Sequence, residues 1–160
     1  MLIGLISDIH DRTDHLRRAL ELLAAESCTH LLCMGDFSRP STLRLLGELW
    51  PGELDFVLGN NDWPQEDFFA TSPRLRCHGV CAELELGGRR IFMAHEPERV
   101  RSALAFGRFD AVFFGHTHRA MMAWEGQTLI ANPGDIQGRS GKPGFALYNP
   151  LEHSLRHTAL

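Results

Sequence analysis

The sequence predicts an α/β fold, with parallel βαβ units in its first half and mainly antiparallel strands in its second. Two observations carry this. Apolar runs alternate with amphipathic stretches as far as Leu58, and hairpin signals take over after Cys81. No repeat, low-complexity tract or linker interrupts the 160 residues, so one domain over residues 1–160 is expected.

Leu2 to Ser7 is a short apolar run with β-branched residues, which reads as a strand. Thr13 to Glu26 places Leu16, Ala19, Leu20 and Leu23 at helical spacing behind a Thr/Asp start signal. Asp11 and Asp14 are expected to cap that helix. Leu31 to Met34 repeats the strand, Ser41 to Leu49 the helix, and Phe56 to Leu58 gives a third strand. Trp63 to Arg76 is rich in Pro, Ser and acidic residues and reads as a long loop or short helix. Its Trp63, Phe68 and Phe69 suit either packing or nucleobase stacking. Cys81 to Leu86 and Arg90 to Ala94 form a hairpin about Gly87-Gly88. Pro97 to Phe106 is a helix begun by Pro and stopped near Gly107, and Ala111 to Phe114 is the next strand. From Met121 onward the pattern is strand, Glu125-Gly126 turn, strand and a Gly-rich loop from Gly134 to Gly144. The strands Phe145 to Asn149 and His153 to His157 complete the chain.

A hydrophobic fraction of 44% and a charged fraction of 22% exclude a disordered or fibrous chain. The formal net charge of -4 lacks the basic surface that nonspecific nucleic-acid binding needs, so a nucleic-acid partner is disfavoured. No apolar run approaches the roughly 20 residues of a membrane span, and Leu2 to Ile6 has no preceding basic region. A cytoplasmic protein without membrane association is expected; a homo-oligomer is left open. Cys28, Cys33, Cys77 and Cys81 lack CxxC spacing and are read as reduced thiols.

The informative feature is where the polar residues stand. Asp8, Asp36, Asn60, His95 and His116 each come just after an apolar run read as a strand. In α/β sheets ligands bind beyond the carboxyl ends of strands, so separate loops would deliver these side chains to one edge. Carboxylate, amide and imidazole donors together suit Mn, Zn, Fe, Co or Ni better than Mg or Ca, which prefer oxygen alone.

The motifs Ser7-Asp8-Ile9-His10, Gly35-Asp36, Gly59-Asn60-Asn61-Asp62, Ala94-His95 and Gly115-His116-Thr117-His118 resemble, in order and spacing, the signature of calcineurin-like metallophosphoesterases. Asn132-Pro133-Gly134 resembles a further motif of the small YfcE-like phosphodiesterase branch. The resemblance implies two mixed β-sheets packed as a sandwich flanked by helices. It also implies two divalent transition-metal ions, manganese foremost, with Zn, Fe, Co or Ni as alternatives. Asp8, His10 and His118 would hold one ion, Asn60, His95 and His116 the other, and Asp36 would bridge them. By the same resemblance Asp36, Asn60 and His116 would be the catalytic members. The implied reaction is attack of a metal-bridging hydroxide on a small phosphate ester, a phosphodiester foremost. The alternative is a catalytically weak or inactive protein-interaction module on the same fold, as in the retromer subunit of this superfamily.

Three further residues are candidates for substrate binding: Asn61, Asp62 and Arg139. Asn61 stands where many relatives place a proton-donating His, and a neutral amide is no general acid. Asp62 is either an orienting group or a solvated loop carboxylate. Arg139 is either a phosphate clamp or an ordinary exposed residue. Glu96 and Asp135 add negative charge relative to the family pattern, which disfavours highly anionic substrates. His15, His30, His78, His153 and His157 are read as surface or satisfied partly buried residues.

Overall fold

The computed structural model describes residues 1–62, 74–139 and 141–160. Its elements run β1 (Ile3–Ile6), α1 (Thr13–Ala25), β2 (His30–Cys33), α2 (Pro40–Leu49), β3 (Glu53–Phe56), β4 (Leu75–Cys77), β5 (Cys81–Leu86) and β6 (Arg89–Ala94). They continue with α3 (Pro97–Phe106), β7 (Ala111–Phe113), β8 (Met121–Glu125), β9 (Thr128–Asn132), β10 (Gly144–Asn149) and β11 (Ser154–Ala159). One sheet has the order β11-β10-β1-β2-β3-β4 and the other β5-β6-β7-β9-β8. Both are mixed. In the first, β1 to β4 are parallel, β10 runs antiparallel to β1, and β11 runs antiparallel to β10. In the second, β6, β7 and β9 are parallel between antiparallel β5 and β8.

Period-two alternation sets the layers. Ile3 and Leu5, Leu32 and Met34, and Val57 point from the first sheet into a core shared with Ile91, Met93, Phe113, Leu129 and Ala131 of the second. That shared core is the sandwich. The alternate residues Ile6, Leu31, Cys33, Leu54 and Phe56 face the other way, onto Leu16, Ala19 and Leu23 of α1 and Leu43 and Leu46 of α2. Each such side chain contributes roughly 1.5 to 3 kcal/mol when fully buried. Gly87 and Gly88, with φ of 60° and 74°, turn β5 into β6 as the hairpin signal predicts.

Several boundaries differ from the sequence reading. The third strand is Glu53–Phe56, earlier than expected, because a carboxylate at Asp55 interrupts the apolar run yet sits buried in the strand. Leu75 and Arg76, expected in a loop, belong to β4 beside β3. Trp63, Phe68 and Phe69 lie outside the described residues. Neither Asp11 nor Asp14 caps α1, whose N-cap is Arg12 with no side-chain cap bond. Asp11 instead accepts from Thr42 Oγ1 at 2.5 Å and pairs with Arg39 at 3.2 Å, while Asp14 pairs with Arg12.

Asp55 is tolerated because three side chains converge on it. His30 Nε2 and His78 Nε2 each lie 2.6 Å from a different carboxylate oxygen, and Arg76 donates to both oxygens at 2.8 Å. Burial alone would raise its pKa, but the bonds from Arg76, His30 and His78 outweigh this and hold the carboxyl well below the usual range. Asp55→Ala would leave the buried His30 without its partner, and is expected to cost about 3 to 5 kcal/mol in urea unfolding. A folded pKa below the unfolded value of about 3.9 means this stabilisation is present above that pH and lost as pH falls through the folded pKa. The gap between wild type and Asp55→Ala should therefore narrow on acidification below about pH 4. A gap under about 1 kcal/mol at neutral pH, the level of exposed pairs, would contradict the assignment.

Candidate metal centre

Parallel strands from both sheets end at one place. The loops after β1, β2 and β3 carry Asp8 and His10, Asp36, and Asn60, while those after β6 and β7 carry His95 and the pair His116 and His118. Backbone bonds lock the loops together. Asp8 N–H donates to Gly35 C=O, and His10 N–H to Asp36 C=O. Between the sheets, His116 N–H donates to Asp8 Oδ2 at 3.0 Å.

The local backbone is strained. Asp8, His10, Asp36, His116 and His118 all have positive φ, between 44° and 67°. Such conformations cost non-glycine residues about 1 to 3 kcal/mol each and persist where the surroundings over-determine them. His116 and His118 both take left-handed conformations, which bend the chain between them. Two glycines are needed for space: a Cβ on Gly59 would lie 2.1 Å from Asp36 Oδ1, and one on Gly115 would lie 2.0 Å from Ser7 Oγ.

The side chains form two clusters sharing Asp36. In one, His118 Nε2 is 3.5 Å and His10 Nε2 3.9 Å from Asp8 Oδ1, with the two rings stacked at 5.3 Å. In the other, Asn60 Oδ1 lies 3.0 Å from His95 Nε2 and 2.9 Å from His116 Nδ1. Asp36 Oδ2 stands between them, 3.3 Å from His10 Nε2 and 3.4 Å from His95 Nε2. Asp8 Oδ1 and His10 Nε2 are buried without a hydrogen-bond partner. Native proteins rarely leave such atoms orphaned, and a cation between them would satisfy both. Asp8, His10 and His118, and again Asp8, Asp36 and His95, bring one donor atom each within 4.8 Å of one another.

The charges fit the same picture. The nearby carboxylates of Asp36 and then Asp8 outweigh burial and raise His10 to about 9, by charge attraction, since its Nε2 lacks hydrogen-bond geometry to either. Burial would lower His95, but Asp36 turns the balance and raises it. Asp36 itself is held well below the usual range: burial opposes this, and His10, His95 and the Asn61 N–H overcome it. The centre therefore concentrates negative charge that cations, here protons, are drawn to neutralise.

The supporting residues were not all foreseen. Asn61 turns onto Asp36, donating from its backbone N–H to Oδ1 at 2.9 Å and from Nδ2 to Oδ2 at 2.7 Å. Asp62 is buried and accepts backbone N–H groups from Asp36, Ser38 and Gly59 at 2.7 to 2.9 Å, tying the loops after β2 and β3. Arg139 exposes its side chain and donates its backbone N–H to Asp135, which also lies 3.0 Å from His118 Nδ1. Glu96 pairs with Arg99 at 3.3 Å. Glu96 thus has an opposite charge beside it, while Asp135 has hydrogen-bond partners only. Other ligand-type rings are held from behind: His95 Nδ1 is 2.6 Å from Met34 C=O and His10 Nδ1 3.3 Å from Ser38 Oγ. His15, His30, His78, His153 and His157 all have partners away from the centre.

A family model described as the calcineurin-like phosphoesterase superfamily domain matches residues 1–151. A phosphodiesterase of Methanocaldococcus jannaschii is 24% identical over 166 residues, covering 100% of this chain and 99% of that protein. The solved structure of a novel archaeal phosphodiesterase superposes with a TM-score of 0.90 at 24% identity, covering 100% of both chains. Vps29 of Chaetomium thermophilum superposes with a TM-score of 0.68 at 23% identity, over 93% of this chain and 79% of that one.

Asp62→Ala strands three backbone donors and is expected to lower unfolding free energy by about 3 to 5 kcal/mol, against a smaller loss for Asp62→Asn, which keeps one acceptor oxygen. Thermal and urea unfolding of both variants check this. Equal losses in the two, or none, would show that the carboxylate does not hold these loops.

Proposed function

The chain belongs to the calcineurin-like phosphoesterase superfamily, and from that premise we propose that this metal-dependent phosphoesterase cleaves small phosphodiesters at a two-cation centre built on Asp36. The observation that carries the reading is the orphaned pair Asp8 Oδ1 and His10 Nε2 within the convergent donor set. Asp8, His10 and His118 would hold one ion and Asn60, His95 and His116 the other, with Asp36 shared. The mixed oxygen and nitrogen donors favour a transition metal, and manganese is our first choice. When bound, two such ions acidify water toward neutrality and neutralise charge on the phosphoryl oxygens.

The chain's own residues do the positioning. Asn61 fixes the Asp36 carboxylate, and Asp62 holds the loop that presents it; both Asp62 oxygens are used inward, so we assign it to the frame and not to substrate. Asn60 and His116 are exposed at the mouth, where the ester would meet the centre. Arg139, exposed beside Asp135, would hold a nonbridging oxygen. No imidazole stands at position 61 to protonate the departing oxygen. That absence favours a weak or inactive interaction module, and the intact donor set argues against it.

The experiment is a leaving-group series on metal-loaded protein. Aryl diesters such as bis(p-nitrophenyl) phosphate should be cleaved, with loss of turnover on chelation, and rates should fall steeply as leaving-group pKa rises. A positioned general acid contributes about 10² to 10⁴ in rate, felt most with poor leaving groups, so Asn61→His should raise alkyl esters more than aryl ones. Asn61→Ala, which gives up the same amide bond to Asp36 without adding an imidazole, is the control. A flat series unchanged by Asn61→His would place the proton donor elsewhere, and absence of turnover with any metal would favour the interaction module.

A further inference from the structure

We infer that Asp135 is a positioning residue that fixes His118 as an Nε2 donor and makes the Asp8/His10/His118 pocket the tighter of the two cation sites. The inference rests on the two-cation reading above. It begins from His118, whose ring lies between two carboxylates: Nε2 is 3.5 Å from Asp8 Oδ1 and Nδ1 is 3.0 Å from Asp135 Oδ2. A neutral imidazole has one N–H. A carboxylate acceptor at Nδ1 takes it and leaves the Nε2 lone pair facing Asp8, whose Oδ1 is one of the two orphaned buried atoms.

Asp135 is itself fixed. It is 2% exposed. Its Oδ2 also accepts the Arg139 N–H at 2.7 Å, and its carbonyl accepts the Gly144 N–H at 3.0 Å. The turn before it is keyed to the loop that carries His118. Asn132 Nδ2 donates to Gly115 C=O at 2.7 Å and to Thr117 Oγ1 at 3.1 Å, while Asn132 Oδ1 accepts the Gly134 N–H at 2.9 Å. Carboxylate and imidazole are therefore held in one frame.

The remaining ligand-type histidines lack such a partner among the described residues. His95 has a neutral carbonyl behind it and His10 a hydroxyl. His116 turns Nδ1 inward, toward Asn60 Oδ1, and its ring is exposed. A carboxylate on the outer nitrogen raises ligand basicity and fixes ring orientation, and losing one costs typically 10- to 100-fold in metal affinity. The clusters differ further in charge and access. One contains the buried anion Asp8; the other has the exposed neutral amide Asn60 in its place. All three differences act in the same direction.

The test compares wild type, Asp135→Ala and Asp135→Asn. In metal-free protein, long-range ¹⁵N–¹H spectra at a pH where the ring is neutral should show His118 as the Nδ1–H tautomer in wild type and as a mixture in Asp135→Ala. Calorimetric titration with Zn²⁺ should give two steps in wild type, with the tighter weakened about 10- to 100-fold in Asp135→Ala and the weaker unchanged. Asp135→Asn keeps an acceptor oxygen without the charge, and should recover the tautomer but only part of the affinity. A tighter step unchanged in Asp135→Ala, a loss confined to the weaker step, or an equal loss in both would overturn the inference. A wild type that shows the expected tautomer yet binds no Zn²⁺ would instead overturn the two-cation reading on which it rests.

Discussion

The Asp36 carboxylate is the contact on which the centre depends. His10 approaches it from the β1 loop of one sheet and His95 from the β6 loop of the other, at nearly equal distances of 3.3 and 3.4 Å. Moving it by an ångström would separate the two donor clusters. The fold accordingly surrounds it with constraints: Gly59 leaves room for Oδ1, Asn61 binds both oxygens, and Asp62 grips the backbone N–H of Asp36 itself. Asp8 and Asp36 are like charges buried together in this pocket, an arrangement that costs free energy unless cations join them.

That gathering has a structural cost, visible in the left-handed backbone at five of the seven ligand candidates, Asp8, His10, Asp36, His116 and His118. The offset comes from the sandwich beneath, where Ile3, Leu5, Met34, Met93 and Phe113 are fully buried. A rigid core can hold strained loops because close-packed interiors transmit displacement instead of absorbing it. The parallel strands aim the loops, the shared core fixes the two sheets, and the Asp8 to His116 bond joins the sheets at the mouth of the site.

Much of this was legible in the sequence, because the ligand candidates announce themselves by local pattern: a polar donor directly after an apolar run. The helices and most strands were readable for the same reason, being set by the spacing of apolar residues. What escaped was decided by partners distant along the chain. Asp55 reads as a break in a strand until His30, Arg76 and His78 are seen to meet it. Asp11 reads as a helix cap, but Thr42 and Arg39 claim it. Asp135 reads only as added negative charge and Asn61 only as a missing acid, and the contacts of the one with His118 and of the other with Asp36 do not show. No spacing rule reaches those pairings.

We propose that the two donor clusters flank one shared carboxylate and hold one cation each. Anomalous diffraction from crystals soaked in Mn²⁺ tests it most directly. Two peaks are expected, one among Asp8, His10 and His118 and one among Asn60, His95 and His116, with Asp36 between them and both reduced in Asp36→Ala. A single peak, or two peaks that persist at full height without Asp36, would contradict it.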